Sequence, residues 1–258
     1  MKIKQCYIPP HMRKRFSYFF KKYSLKEYQN PKLPAVFFSL WKYGVLKSHK
    51  GFALVIWRGS DILKFGKKIS TLKKNKNIYH VAISKYIAKD LEKYKIKYKL
   101  IPIVGVNMKY FTSYELGNEI YSYVPSHNPA KYNIRYGMNT IKQIQKKCKY
   151  KINITTSISQ FKRKKMVDIY KKCFCGLRMT THDGLPSQVI EMGLMGRKSF
   201  YNGDIPGSIR WDKKNIDKII EDIERESEKI GSRNDRCSEE IFNFINIHKN
   251  WLNTDFWR

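Results

Sequence analysis

Short apolar runs alternate with longer amphipathic segments along the whole chain. In the first half, the apolar runs predict β-strands, because they are short and are bounded by glycine, proline or polar residues. The predicted strands are Lys2–Ile8, Ala35–Leu40, Phe52–Trp57, Tyr79–Ile83 and Lys99–Val104. Pro9 and Pro10 end the first strand, since proline cannot donate to a sheet ladder.

Helical patterns lie between these strands. The segment His11–Tyr23 places its apolar residues at the spacing of one helix face. These residues are Phe16, Phe19, Phe20 and Tyr23. A second helix begins near Ser60 or Asp61, either of which is a suitable N-cap residue, and a third is capped by Ser84 and runs to about Tyr94.

The alternation restarts after a linker near residues 112–118. The later predicted strands are Glu119–Val124, Tyr150–Thr155, Phe174–Thr180 and Lys198–Tyr201. The later predicted helices are Gly137–Lys147, Gln160–Lys172, Val189–Met195, Lys214–Ile230 and Glu239–Trp251. Alternating strands and helices are typical of parallel sheets. The predicted fold class is therefore α/β, with two Rossmann-like βαβ domains that face a central cleft.

Three segments follow from this organisation. Residues 1–114 form a shortened N-terminal Rossmann-like domain, and residues 115–235 form a C-terminal Rossmann-like domain. Residues 236–258 contain a C-terminal helix that is expected to pack back toward the N-terminal domain. Open α/β sheets bind ligands beyond the carboxyl ends of their strands, so the loops after the strands are the candidate ligand sites.

The stretch 178–207, RMTTHDGLPSQVIEMGLMGRKSFYNGDIPG, has a pattern suited to a nucleotide diphosphate. Asp183 and Glu191 flank a turn-prone Gly-Leu-Pro-Ser segment and the start of a helix. Unpaired N–H groups at a helix N-terminus attract phosphate. A carboxylate in the helix can accept hydrogen bonds from two ribose hydroxyls. Residues 183–191 are called the donor motif below.

The charge is distributed unevenly along the chain, whose formal net charge is +31. Residues 1–114 hold 26 Lys and Arg against 4 Asp and Glu, whereas residues 115–258 hold 26 against 17. A positive field of this size favours a polyanionic partner: nucleic acid first, and an anionic membrane surface second. A solvated surface with no dedicated partner is the alternative.

The remaining composition points to a cytoplasmic protein. The five cysteines are odd in number and lack CxxC spacing, which favours free thiols in a reducing compartment. No apolar run is long enough for a transmembrane helix, and the N-terminus lacks the apolar stretch of a signal peptide. No obligate protein partner is evident.

Four segments resemble GT-B glycosyltransferases, and most closely those called family 4. IWRGSD at 56–61 resembles an HGSD-type element, and 81–107 resembles the stretch that leads into the second domain. HDGLPSQVIEMGLMG at 182–196 resembles the E-x7-E signature, here D-x7-E. GDIPG at 203–207 resembles the turn that follows it. The compact size is similar to that of phage or virus enzymes that modify DNA.

The resemblance implies a nucleotide-sugar donor, with a UDP-sugar favoured, and sugar transfer with retention and without a required metal or other cofactor. The implied catalytic residues are Asp183, Asp61 and Arg58. The implied donor-binding residues are Lys131, Arg135, Arg178, His182, Gly184, Leu185, Pro186, Ser187 and Glu191. Basic side chains among them would neutralise the leaving diphosphate.

The chain departs from the family pattern at three places. Arg58 occupies the position of a common histidine, and Asp183 is one methylene shorter than the usual glutamate. The glycine-rich acceptor loop after the first strand is replaced by Pro9-Pro10-His11.

The acceptor site is expected in the basic cluster after the first strand. Its members are His11, Arg13, Lys14 and Arg15. The predicted acceptor is a polyanion, most plausibly DNA with a hydroxylated base, which would have to be flipped from its stack. A lipid or cell-surface glycan at an anionic membrane is the first alternative. A non-catalytic nucleic-acid-binding protein on the same scaffold is the second.

Several individual assignments have structural alternatives. Asp61 is a candidate helix cap as well as an acceptor-side residue, and His182 either polarises the sugar or packs beside the turn. Lys131 and Arg135 are alternatively solvated surface residues. The same holds for the basic cluster 11–15.

Overall fold

The computed structural model describes residues 1–13, 16–40, 42–71, 75–124, 135–156, 163–246 and 250–257. The side chains of His11, Ser60, Ile69, Ser70 and Arg163 lie outside that description. The chain forms two compact units. Unit 1 comprises Met1–Val106 and Ile245–Arg258, and unit 2 comprises Asn107–Phe244. The domain boundaries predicted at 114/115 and 235/236 stay predictions.

Unit 1 contains a parallel sheet of six strands among the described residues, in the order β2-β1-β3-β4-β5-β6. The strands are β1 (Gln5–Tyr7), β2 (Lys26–Glu27), β3 (Ala35–Phe38), β4 (Ala53–Trp57), β5 (Ile78–Ala82) and β6 (Lys99–Leu100). The helices are α1 (Pro10–Arg13), α2 (Ser17–Tyr23), α3 (Tyr43–Lys47), α4 (Ser60–Ser70) and α5 (Lys85–Lys93). The central strands β3 and β4 are fully buried, as their continuous apolar sequences predict.

The last described segment completes the core of unit 1. Trp251 is buried against Phe19 and Tyr23, at ring-centroid distances of 6.0 and 5.1 Å. The backbone N–H of Ile3 donates to the carbonyl of Leu252 at 2.9 Å. Residues 250–257 are therefore part of the hydrophobic core of unit 1.

Unit 2 contains a parallel sheet of five strands among the described residues, in the order β11-β10-β9-β7-β8. The strands are β7 (Glu119–Val124), β8 (Ile152–Thr156), β9 (Cys173–Leu177), β10 (Lys198–Phe200) and β11 (Ser208–Ile209). The helices are α6 (Met138–Lys147), α7 (Arg163–Lys171), α8 (Ser187–Leu194), α9 (Ile216–Ser227) and α10 (Asp235–Asn246). Ile120, Ile141, Phe174 and Ile223 lie at the centre of its core.

Two local predictions were wrong in detail, and two short elements were missed. The helix predicted over 11–23 is divided into α1 and α2. The strand predicted over 99–104 ends at Leu100, because Pro102 cannot donate to a ladder. The sequence also gave no sign of the two-residue edge strand β2 or of the one-turn helix α3, since elements this short produce no periodic pattern.

Arg197 organises the end of unit 2 opposite the strand carboxyl termini. Arg197 follows α8 in the chain, and its side chain is 0% exposed. All its described hydrogen bonds go to backbone carbonyls. The acceptors are the carbonyls of Tyr170, Cys173, Tyr114, Met195, Glu115 and Lys171. Burial lowers the pKa of Arg197 to about 10. One cation thus joins the C-terminal ends of α7 and α8, where helix carbonyls lack intrahelical partners.

Candidate functional site

The donor motif lies at the topological switch point of unit 2. From β7 the chain moves outward to β8 on one side, whereas from β9 it moves through β10 to β11 on the other. β7 and β9 are neighbours, and ligands of open α/β sheets bind outside the carboxyl ends of such a strand pair. Arg178, the first residue after β9, reaches across this point: its Nη1 donates to the carbonyl of Tyr123 in β7 at 3.0 Å.

Arg178 also holds the first acidic residue of the motif. Its Nε and Nη2 atoms both donate to Oδ2 of Asp183, at 2.9 and 2.5 Å. Arg178 is 8% exposed, while the Asp183 side chain is partly open to solvent. The structure thus brings together a predicted donor-binding residue and a predicted catalytic residue. Their roles toward a ligand stay predictions.

The turn between Asp183 and α8 is stabilised by the hydroxyl of Tyr201. The buried Tyr201 hydroxyl lies 2.9 Å from the carbonyl oxygen of Asp183 and 3.1 Å from that of Gly184, and donates to this pair. Pro186 is the N-cap residue of α8 and makes no side-chain cap hydrogen bond. The first N–H groups of α8 therefore point out of the helix beside a half-buried Ser187, as an anion-binding helix start requires.

Glu191 lies in the second turn of α8 and is 6% exposed. Its Oε2 accepts a hydrogen bond from the hydroxyl of Tyr170 at 3.0 Å. α8 lies close to the sheet because Gly176 in β9 has no side chain: a Cβ there would be 2.6 Å from the sulfur of Met192. This close packing fixes the height of Glu191 above the strands.

The other described donor candidates lie in this turn or beside it. His182 is half-buried and precedes Asp183. The carbonyl of Arg135 accepts from the N–H of Thr181 at 3.4 Å, which places Arg135 next to the segment that leads into the motif. Gly184, Leu185 and Pro186 are buried. Lys131 lies outside the described residues.

In unit 1, Asp61 stabilises the turn between β4 and α4. Its carboxylate is buried and accepts from the N–H groups of Arg58 at 3.1 Å, Gly59 at 2.8 Å and Ile62 at 3.1 Å. Burial raises the pKa of Asp61, and the backbone hydrogen bonds oppose that shift only in part. Gly59 has φ +147°, which favours glycine. These contacts hold the turn that leads into the first turn of α4, where Asp61 lies, and both the helix-cap role and the catalytic role stay predictions.

Arg58 lies at the carboxyl end of the unit 1 sheet. Its guanidinium carbon is 4.5 Å from the ring centroid of Phe16 and 4.8 Å from that of Phe38, the last residue of β3. The switch point of unit 1 lies between β1 and β3, because the chain leaves these neighbours in opposite directions. Cation–π contacts therefore hold Arg58 near that point.

The predicted acceptor cluster is described only in part. Arg13 is exposed and forms an ion pair with Glu27. Lys14 and Arg15 lie outside the described residues, as does the side chain of His11. The backbone of His11 belongs to α1, which follows β1 at the switch point of unit 1.

Three residues that shape the candidate site were missed by sequence reasoning: Tyr170, Tyr201 and Arg197. Each acts through a hydrogen bond to a residue or carbonyl far from it along the chain. A buried tyrosine has the same sequence signature as any other core aromatic residue. No sequence signal could have singled them out.

Metal-binding clusters and membrane-spanning helices are both absent from the described residues. They contain no group of three or more His, Cys, Asp or Glu side chains that could hold a metal ion. No described helix is both long and apolar enough to cross a membrane. Metal independence stays a prediction.

Comparison with known proteins identifies similar folds. No protein-family model and no curated protein matches the sequence. Sucrose-phosphate synthase from Thermosynechococcus elongatus is similar over 93% of this chain and 76% of its own, with a TM-score of 0.60 and 11% identity. TarM is similar over 92% of this chain and 57% of its own, with a TM-score of 0.58 and 11% identity.

A mutant of S. aureus TarM in complex with Fondaparinux, alpha-GlcNAc-glycerol and UDP is also similar, over 94% of this chain and 57% of its own. Its TM-score is 0.52 at 9% identity. The chain thus spans a little over half the length of the TarM structures. These similarities confirm the predicted α/β fold of the GT-B type, with two parallel sheets.

Proposed function

We propose that the protein is a glycosyltransferase that transfers a sugar, with retention, from a nucleotide-sugar donor. The observation that carries this proposal is the position of the donor motif: it lies at the switch point of a parallel sheet in a GT-B fold. A uridine nucleotide is favoured because the similar S. aureus TarM structure is in complex with UDP.

The proposed donor contacts are centred on the start of α8. The diphosphate binds at the first N–H groups of α8, with Gly184–Ser187 as its cradle. Glu191 accepts the ribose hydroxyls, and Asp183 and His182 contact the sugar. Arg178, Arg135 and Lys131 neutralise the leaving diphosphate, so that transfer needs no metal. Transfer that is abolished by a chelator would contradict this last step.

Replacing Glu191 with alanine is expected to abolish donor binding. A thermal-shift screen of nucleotide sugars measures this: a bound donor at 100 times its Kd stabilises the wild type by about 2.7 kcal/mol. The matched control is Glu221→Ala, which removes an exposed carboxylate from α9 in the same unit. If no nucleotide sugar stabilises the wild type, or if E191A is stabilised equally, the proposed donor site is wrong.

We further propose that the acceptor is DNA with a hydroxylated base. The basic half of the chain, residues 1–114, carries little negative charge that would repel the phosphates of DNA. Its four acidic residues, Glu27, Asp61, Asp90 and Glu92, all have local partners. Glu27 pairs with Arg13, Asp90 with Lys93 at 2.9 Å and Glu92 with Tyr98 at 2.6 Å, while Asp61 is buried. This arrangement supports a strongly positive surface on unit 1.

Duplex DNA is expected to bind tightly at low salt and to lose affinity by orders of magnitude between about 50 and about 200 mM salt. Fluorescence anisotropy measures this loss, and liposomes with anionic lipids tested by co-sedimentation provide the comparison. Stronger binding to liposomes would favour the membrane glycan alternative. DNA binding without any donor turnover would favour the non-catalytic alternative.

A further inference from the structure

Glu191 and Tyr170 form a buried hydrogen-bonded pair between two helices. The Tyr170 hydroxyl donates to Oε2 of Glu191 at 3.0 Å, and both side chains are almost fully buried. A carboxylate turns about its last side-chain torsion, which has broad preferences. A fixed donor on one oxygen therefore sets the plane of the carboxylate and the direction of its remaining lone pairs.

The ring of Tyr170 is itself packed against two other aromatic rings. Its ring meets that of Tyr121 edge-on, with centroids 4.9 Å apart, and that of Phe111 at 6.2 Å. The Tyr121 hydroxyl lies 2.5 Å from Oγ1 of Thr155, which joins strands β7 and β8 below the ring. The ring of Tyr170 thus rests on the sheet of unit 2.

The backbone of Tyr170 is fixed independently of its ring. Its carbonyl accepts from Nε of Arg197 at 3.1 Å, and the same arginine binds the carbonyl of Met195 at the end of α8. Tyr170 lies on α7 and Glu191 on α8, so Arg197 holds the two helix ends at a constant separation. A rigid hydroxyl on one helix therefore faces a carboxylate on the other.

We propose that Tyr170 is a positioning residue that aims the carboxylate of Glu191 at the 2′ and 3′ hydroxyls of the donor nucleotide. It thereby makes the site selective for ribonucleotides. This inference rests on the proposed donor function. The tyrosine hydroxyl is a neutral donor, so the contact directs the carboxylate without adding a positive charge to it.

Tyr170→Phe is the test, because it removes one oxygen and keeps the ring. Calorimetry compares the Kd of UDP with that of 2′,3′-dideoxyuridine diphosphate for the wild type and for the variant. The wild type is expected to prefer UDP, and Y170F to lose about tenfold of that preference, as expected for one hydrogen bond to a charged group. With the UDP-sugar, KM is expected to rise more than kcat falls.

Tyr150→Phe is the matched control. It removes a tyrosine hydroxyl of the same unit that donates to Ser227 at 2.7 Å, and it is expected to keep the full preference for UDP. A merely structural role of Tyr170 would weaken both nucleotides alike and leave their ratio unchanged. An unchanged ratio in Y170F would therefore overturn the proposal.

A second measurement separates failure of this inference from failure of the proposed function. If the wild type binds neither nucleotide, the proposed donor function is wrong and the ribose-selecting role falls with it. The positioning contact itself is then tested by a double-mutant cycle of Y170F and Glu191→Met on urea unfolding, because methionine cannot accept the hydrogen bond as a carboxylate does. Strong coupling confirms that Tyr170 positions Glu191, and additive effects would overturn that as well.

Discussion

Replacing Arg197 with methionine is expected to lower the free energy of unfolding of unit 2 by about 4 kcal/mol. Methionine fills much of the space, but it removes every hydrogen bond that Arg197 donates to the carbonyls of Tyr170, Cys173, Tyr114 and their neighbours. Buried ions can often be replaced by apolar residues when their partners are replaced too, but backbone carbonyls cannot be removed. Hydrogen exchange of unit 2 peptides measures the loss.

Arg197→Lys is the informative control for that experiment. Lysine keeps the positive charge but offers fewer donors on a single nitrogen. An intermediate loss is therefore expected, in which most of the deficit comes from the missing guanidinium geometry. If R197K were as stable as the wild type, charge alone would suffice and the carbonyl-bridging explanation would be wrong.

Acidification is expected to destabilise unit 1 through His80. Trp57 donates its indole N–H to Nδ1 of His80 at 3.1 Å, so the neutral ring carries its proton on Nε2. Burial lowers the pKa of His80 from 6.5 to about 4. The unfolded chain then binds a proton at higher pH than the native chain. Stability is complete above pH 6.5 and is lost as the pH falls toward 4, by about 3 kcal/mol.

His80→Gln isolates this contribution. The glutamine carbonyl can still accept from Trp57, but the side chain does not titrate. His49, whose pKa is also lowered by burial, remains in the variant and accounts for part of any residual slope. Urea unfolding at several pH values, followed by hydrogen exchange of unit 1 peptides, gives the comparison. An equal pH dependence in H80Q and in the wild type would refute the assignment to His80.

The fold was largely predictable because its central strands have a simple sequence signature. β3 and β4 are buried on both faces, so their sequences are continuous apolar runs. The donor motif was recognisable because its acidic residues, turn and helix start are adjacent in sequence. The strand order was not predictable, since parallel neighbours are set by packing of distant segments and not by local preference.

The partners within the candidate site could not be predicted. Nothing in the sequence indicates that Asp183 accepts a hydrogen bond from Arg178 or that Glu191 accepts one from Tyr170. For Asp61, sequence reasoning left a helix cap and an acceptor-side role open, and it gave no sign of the three backbone N–H groups that bind its carboxylate. A local sequence pattern can identify candidate site residues, whereas the hydrogen bonds between their side chains depend on three-dimensional packing.

Unit 1 is discontinuous, and this has a consequence for the order in which the protein is made. The ribosome delivers the six strands of unit 1 first, then all of unit 2, and only then the segment that contains Trp251 and Trp257. Until that segment emerges, Phe19 and Tyr23 lack their buried aromatic partner. The synthesis of unit 2 is therefore complete before that of unit 1, although most of unit 1 precedes unit 2 in the sequence.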